Sequence, residues 1–164
     1  MTGEISHAGP SSQKPPLVAR NKVTGASLSG QAQSAGILVD TRRHFRGTEV
    51  LDDGRRVRVE PGATVRQVNA RPARHGLKLG PDPASEAACT IGGVIANNSS
   101  GMACGTEFNT YRTIESMILV LPRGTVVDTG GGDADYRLRL QEPALYKGLV
   151  RLRDRVKANL ESVT

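Results

Sequence analysis

Tryptophan is absent from this 164-residue sequence, and three Tyr with two Phe leave aromatics at 3%. A core built without rings must be aliphatic, from Val, Ile, Leu and Ala. Hydrophobic residues reach only 37%, below the roughly 45–50% usual when Gly is also counted. The two cysteines, Cys89 and Cys104, exclude a disulfide framework, and no CxxC or Cys/His spacing points to zinc. No apolar run opens the chain, so a secretory signal is not expected. None elsewhere is long enough to predict a membrane span. A reducing, cytoplasmic setting follows as the default. There is no P-loop and no dinucleotide fingerprint G-x-G-x-x-G. His7, His44 and His75 are scattered and read as surface residues, and no Ser-His-Asp constellation can be put together around them.

The formal charge is +6. A basic balance raises nucleic-acid binding as a reading. Arg42, Arg55, Arg66, Arg112, Arg137 and Arg151 are dispersed, however, with no block of cations. Nor do they alternate with aromatics that stack on bases. The expectation is therefore no nucleic-acid partner.

What the sequence does have is glycine and proline, 19 and 9 residues, hence many turns and short elements. They concentrate in residues 80–105, G-P-D-P-A-S-E-A-A-C-T-I-G-G-V-I-A-N-N-S-S-G-M-A-C-G. Few side chains there exceed Ile in size. Such a segment lets the backbone approach something closely. Thr90-Ile91-Gly92-Gly93, followed by Ala96-Asn97-Asn98-Ser99-Ser100-Gly101, offers a dense set of N–H, hydroxyl and amide donors of the kind that cradle anions. A second small-residue loop, Thr24-Gly25-Ala26-Ser27-Leu28-Ser29-Gly30-Gln31, could wrap a phosphate or serve as an ordinary linker.

Along the chain, residues 1–16 are rich in Ser, Gly, Pro and Gln, without periodicity, and read as a disordered tail. Residues 17–23 can form a short strand, and Gly36-Ile37-Leu38-Val39-Asp40 reads as a buried one. Residues 48–52 and 55–60 flank Asp53-Gly54, a strong hairpin signal. The alternation Arg56-Val57-Arg58-Val59 leaves one face of that strand in water. Thr64 is placed as the N-cap of a helix over 65–75. Pro72 either stops that helix near Arg71 or damages it, at about 3 kcal/mol in a helix interior. Gly76 is a C-cap glycine. Residues 112–121 read as a long strand, turned by Pro122-Arg123-Gly124 into a second strand at 125–128. A glycine-rich surface turn follows over 129–135. Residues 144–159 form an amphipathic helix with Leu145, Leu149, Leu152 and Val156 on one side. Hairpins with single helices between them predict an α+β fold. Cys89 reads as a small buried thiol, and Glu107, Glu115 and Asp128 as solvated carboxylates.

The ordered set Ser27-Leu28-Ser29-Gly30-Gln31, Ile37-Leu38-Val39-Asp40, Val59-Glu60-Pro61-Gly62, Pro81-Asp82-Pro83-Ala84-Ser85, Thr90-Ile91-Gly92-Gly93 with Asn97 and Gly101, and Leu119-Val120-Leu121-Pro122 with Gly124-Thr125-Val126 resembles a known family. It is similar to the FAD-binding domain of the vanillyl-alcohol oxidase and p-cresol methylhydroxylase (PCMH) type. Within it, the likeness is closest to FAD-linked oxidases of the D-lactate dehydrogenase and glycolate oxidase kind. The resemblance implies two α+β subdomains with FAD between them, over residues 17–164. It implies cofactor contacts at Gly25, Ser27, Leu28, Ser29, Gly30 and Gln31 in the first loop, and at Pro81, Thr90, Ile91, Gly92, Gly93, Asn97 and Gly101 in the second. Two phosphates want short backbone donors, which agrees with both loops.

Departures from the pattern set further expectations. The family's first loop usually runs R-G-G-G-T-S, where this sequence has Lys22-Val23-Thr24-Gly25-Ala26-Ser27. Val23 is β-branched and resists a positive φ, and Ala26 lacks a hydroxyl, so the pyrophosphate site is expected to be weakened. The family's first strand–helix–strand segment, its last strands and its substrate-capping domain have no counterpart in the sequence. The domain is thus expected to be partial, with no turnover on its own and no catalytic residue to assign. The functional expectation is an FAD-binding fragment of a flavin-dependent 2-hydroxyacid dehydrogenase. The alternative is a non-catalytic remnant that binds flavin weakly or not at all. A second chain completing the domain would be a partner beside FAD.

Overall fold

The structure, a computed structural model, describes residues 20–21 and 38–161, with the backbone alone for Arg20, Asn21, Leu38, Leu160 and Glu161. The tail over 1–16 and the first loop, Gly25 to Gln31, lie outside the described residues. Among the described residues, three two-stranded sheets and five α-helices form an α+β fold, as expected. β1 (Arg20–Asn21) and β2 (Leu38–Val39) pair in parallel, with Arg20 opposite Leu38.

β3 (Thr48–Leu51) and β4 (Arg56–Val59) form the first hairpin, with Thr48 opposite Val59 and Leu51 opposite Arg56. Along β4, exposed Arg56 and Arg58 alternate with half-buried Val57 and Val59. The turn is wider than Asp53-Gly54 alone. Asp52, Asp53 and Gly54 take φ of 49, 53 and 92° in succession. Aspartate is among the few residues with a Cβ that enter the left-handed region readily. The Arg56 side chain binds the Asp52 carboxylate across the turn.

Thr64 caps α1 (Val65–Asn69) as expected, and does so reciprocally. Its hydroxyl accepts from Gln67 N–H at 3.3 Å, and the Gln67 side chain accepts from Thr64 N–H at 3.2 Å. This capping box satisfies two orphan donors at once. The helix is shorter than the 65–75 its spacing suggested. After Asn69 the chain re-forms as a 3-10 turn, Pro72–His75, with Pro72 at its first position. There the missing N–H costs nothing, so the proline is accommodated and buried. Gly76 closes the turn at φ 71°, its N–H donating to the Ala73 carbonyl at 2.9 Å.

Val65 and Val68, one helical turn apart, are both 0% exposed. Val65 packs with Cys89 and Val94, and Leu79 and Ile91 close the cluster. The N-terminal end of α1 is hooked onto the central stretch, with Val65 N–H donating to Cys89 O at 3.2 Å and Arg66 N–H to Glu86 O at 3.0 Å.

The C-terminal half departs further from expectation. Residues 112–121 are not one strand. α3 (Thr110–Thr113) comes first, because the Asn109 side chain caps it by accepting from Arg112 N–H at 3.1 Å. Only β5 (Ile118–Val120) is extended, paired antiparallel with β6 (Val126–Asp128) around Gly124 at φ 87°. The expected glycine-rich turn gives way at its end to α4 (Ala134–Gln141). α5 (Pro143–Glu161) fits the expected helix and starts on its proline. Its apolar stripe, Leu145, Leu149, Leu152 and Val156, stays 39–55% exposed.

Candidate functional site

The central stretch begins with a tight knot. Glu86 N–H donates to Pro83 O at 2.9 Å, and Ala88 and Cys89 N–H both donate to Ser85 O, at 2.8 and 2.9 Å. Pro81 is buried in front of it. Behind it, α2 (Ile91–Ala96) occupies part of what the sequence suggested was loop, capped by buried Thr90. Helix formation through Gly92-Gly93 runs against propensity, so tertiary bonds have to hold it. Ile91 N–H donates to Ala63 O and Gly92 N–H to Pro61 O, each at 2.9 Å. Gly93 N–H donates to the Thr90 hydroxyl at 3.4 Å.

These bonds revise how the donors are used. The first three N–H groups of α2, expected to face an anion, are satisfied by protein acceptors. Thr90, Ile91, Gly92 and Gly93 therefore act as the platform of the loop. The donors that remain lie after the helix. Asn97 follows its last turn, with its Oδ1 at 2.5 Å from the Ser99 hydroxyl. Asn98 takes a left-handed φ of 51°, and its Oδ1 accepts from Tyr111 N–H at 2.9 Å. Ser99 O accepts from both the N–H and the hydroxyl of Thr110, at 3.1 and 2.6 Å. Among the described residues, none accepts from the N–H of Ser100, Gly101 or Met102.

Gly101 lies flat on Asp82. A Cβ there would sit 2.1 Å from Asp82 Oδ1 and 2.2 Å from Asp82 O. The position thus requires glycine for close approach. A cavity of about 230 Å³ is lined by Lys78, Leu79, Gly80, Ala103, Cys104 and Phe108. A second, of about 270 Å³, lies between β3 and the residues after α1, with Arg71 and Arg74 on its wall.

No group of three metal-ligating side chains occurs among the described residues, and Cys89 and Cys104 are free and buried. The resolved electrostatic perturbation lies elsewhere, in the β3–β4 turn. There the Arg56 side chain holds the Asp52 carboxyl below its ordinary value of 3.8. Arg56 also reaches Glu115 at 3.4 Å. His75 accepts from Arg74 Nε at 3.0 Å. The first-loop residues Gly25, Ser27, Leu28, Ser29, Gly30 and Gln31 are outside the described residues, so only the second loop is seen assembled. Asp82 and Thr110 hold that loop; Asp82 stood in the quoted Pro81-Asp82-Pro83 motif without a role of its own, and Thr110 was not singled out by sequence.

The described site is thus an α+β unit that presents acceptor-free backbone donors beside a hydrogen-bonded platform. A family model described as "FAD binding domain" matches residues 12–130. The chain belongs to that family, and FAD is its cofactor. It is similar to "Glycolate oxidase subunit GlcD" of Escherichia coli K12, 36% identical over 89 residues, 54% of this chain and 18% of that protein. It is also similar to "D-lactate dehydrogenase" of Archaeoglobus fulgidus, 32% identical over 117 residues, 71% of this chain and 26% of that protein. A third relative is "D-2-hydroxyglutarate dehydrogenase" of Pseudomonas putida, 35% identical over 101 residues, 61% of this chain and 10% of that protein. The aligned part of the chain thus spans between a tenth and about a quarter of these relatives. No described helix is long and apolar enough to cross a membrane.

The second loop offers acceptor-free backbone donors of the kind that anions take up. It presents a run of short backbone donors at Ser100, Gly101 and Met102, and it presents no carboxylate that those donors would have to share except Asp82, which is already bonded to two amides.

Proposed function

We propose that this chain is the FAD-holding part of a flavin-dependent dehydrogenase of 2-hydroxyacids, of the D-lactate and glycolate kind. Flavin supplies hydride acceptance when bound; the protein supplies binding, orientation and exclusion of water. We assign the contacts to Gly25, Ser27, Leu28, Ser29, Gly30 and Gln31 on the first loop, and to Pro81, Thr90, Ile91, Gly92, Gly93, Asn97 and Gly101 on the second. In this reading, Thr90 to Gly93 fix the loop's course, while Asn97 and Gly101 bound its donor face. The observation that carries the proposal is the unpartnered donor run at Ser100 to Met102 beside Gly101. Turnover by the isolated chain is expected to be nil, and a cytoplasmic location goes with its free cysteines.

The partner reading rests on surface. Ile118, Val120 and Val126 are 70, 72 and 51% exposed, and the stripe of α5 is open as well. A second polypeptide completing the domain would cover them. The alternative, a non-catalytic protein with weak flavin affinity, is favoured by Val23 and Ala26 and by the internal use of the Ile91 to Gly93 donors. Titration of the purified chain with FAD, followed by flavin absorbance and fluorescence, decides between them. Saturable binding supports the flavoprotein reading, and a colourless protein that takes up no FAD ends it.

A further inference from the structure

We infer that Asp82 is the positioning residue of the flavin loop, the group that fixes the course of residues 100–104 and so aims their free donors; the inference rests on the FAD reading above. Asp82 Oδ2 accepts from Ala103 N–H and Oδ1 from Cys104 N–H, each at 3.2 Å. One carboxylate thereby takes two successive amides, a charge-assisted arrangement stronger than two neutral bonds. Its side chain is only 21% exposed, so water competes weakly for those oxygens. On the other side, Gly101 presses on both Oδ1 and the backbone carbonyl of Asp82. The clasp therefore grips the loop on both flanks of Met102. The N–H groups of Ser100, Gly101 and Met102, just upstream of the two clasped amides, have no acceptor among the described residues.

Geometry explains why the carboxylate is needed. Residues 99–104 are not regular structure, and a loop with no repeating backbone bonds keeps its shape only through side-chain anchors. Its upstream anchor is Thr110, which takes Ser99 O. Its downstream anchor is Asp82. Without the second, the downstream end keeps only the Phe108 N–H bond to Cys104 O, at 3.1 Å, and the weak thiol contacts of Cys104. Lys78 Nζ stands 3.9 Å from Asp82 Oδ2, a long pair whose lysine end is solvated and which adds little. The buried Cys104 thiol, whose Sγ lies 3.4 Å from Gly101 O and 3.3 Å from Gly105 O, is a weak donor and adds a lesser hold.

The test uses the full chain with Asp82→Asn and Asp82→Ala, read by FAD titration, by the melting temperature of the FAD-free protein and by amide exchange. Asparagine keeps one acceptor and turns an N–H₂ toward the other amide. Alanine removes both acceptors. The expected order of FAD affinity is wild type, then Asn, then Ala, with Asn weaker by several-fold and Ala by about tenfold or more, as for loss of hydrogen bonds to a charged group. Exchange of the Ala103 and Cys104 amides is expected to accelerate in the same order, while the melting temperature of the FAD-free protein changes little. Wild-type affinity in both variants overturns the inference. So does a fall in affinity that merely parallels a fall in melting temperature, which would make Asp82 an ordinary structural residue. If the wild-type chain itself binds no FAD, the flavoprotein reading fails, and this inference falls with it; that outcome is read from the wild-type titration alone and is distinct from a failure confined to the variants.

Discussion

Thr90 is the most exacting place to test how the loop is built. It is 0% exposed, its hydroxyl accepts the Gly93 N–H at 3.4 Å, and its backbone forms an antiparallel bridge with Thr64. Thr90→Val keeps the shape and the β-branch and deletes only the oxygen. Gly93 is buried, so its N–H finds no water in exchange. An orphaned buried donor costs about 1–3 kcal/mol, and loss of an N-cap typically about 1 kcal/mol. A 3.4 Å bond is long, which puts the expected loss at the low end, about 1 kcal/mol. Thr90→Ser does the reverse, keeping the oxygen and deleting a buried methyl, worth about 0.8 kcal/mol plus a small cavity term. Thr90→Ala loses both, about 2 kcal/mol if the terms add. Urea unfolding of the three variants measures these losses directly. Flavin titration then separates them, since only Val and Ala free the Gly93 N–H. A valine variant as stable as wild type would show that the hydroxyl does not cap α2, and the account of the platform would be wrong.

The glycines give a paired test. Gly62→Ala would place Cβ 2.1 Å from Thr41 O and 2.6 Å from Phe45 O, both backbone atoms that cannot swing away, so a loss of about 1–3 kcal/mol or outright misfolding is expected in thermal melts. Gly76→Ala meets nothing within 4 Å but sits at φ +71°, so only the left-handed penalty of about 1 kcal/mol applies. The β3–β4 turn gives a pH test. Asp52 is held below its ordinary value by its Arg56 hydrogen bond, so its contribution to stability is complete above the unfolded value, about 3.9, and is lost as pH falls through the lower folded value. Carboxyl titration by NMR should show that depressed midpoint, and Arg56→Gln should move it back up; an unchanged midpoint in the variant would remove Arg56 as the cause.

How far the fold was legible follows from where the signals were local. Thr64 and Gly76 announced a cap and a stop through chemistry that acts within one turn, and both serve so. The β3–β4 pair was readable because Asp53-Gly54 marked the turn and Arg56 to Val59 alternate strictly. Residues 112–121 misled for the opposite reason. Alternation of Ile114, Ser116, Ile118 and Val120 suggested one strand, yet Asn109 and Thr113 supply side-chain bonds that start and close a turn of helix first. In the central stretch, small residues correctly marked close approach, as Gly101 on Asp82 demonstrates. What sequence could not supply was the destination of each donor. Ala63 and Pro61 are far from Ile91 and Gly92 along the chain, and only the folded backbone brings their carbonyls to those amides.

The distribution of burial divides the chain in a way that bears on function. Beyond Thr110, Val127 alone is buried among the described residues. The bonds found to hold the loop, to Pro61, Ala63, Asp82, Ser85, Thr110 and Tyr111, come from residues no further along than α3. The flavin loop therefore hangs on the half with a core, while β5, β6 and α5 contribute an apolar surface. A two-stranded sheet is marginal by itself, and α5 leaves its leucines to water. If the two roles are separable, charge placed on the stripe should change association and leave cofactor affinity alone. Leu149→Lys with Leu152→Lys is the suitable pair, at 48 and 55% exposure, since neither contributes to the cluster around Val65. Lower binding of an apolar dye and loss of any self-association or partner capture, at unchanged FAD affinity, is the expected result. A parallel loss of FAD affinity would mean that the C-terminal half supports the loop through contacts not seen in the hydrogen-bond pattern, and the division drawn from burial would not hold.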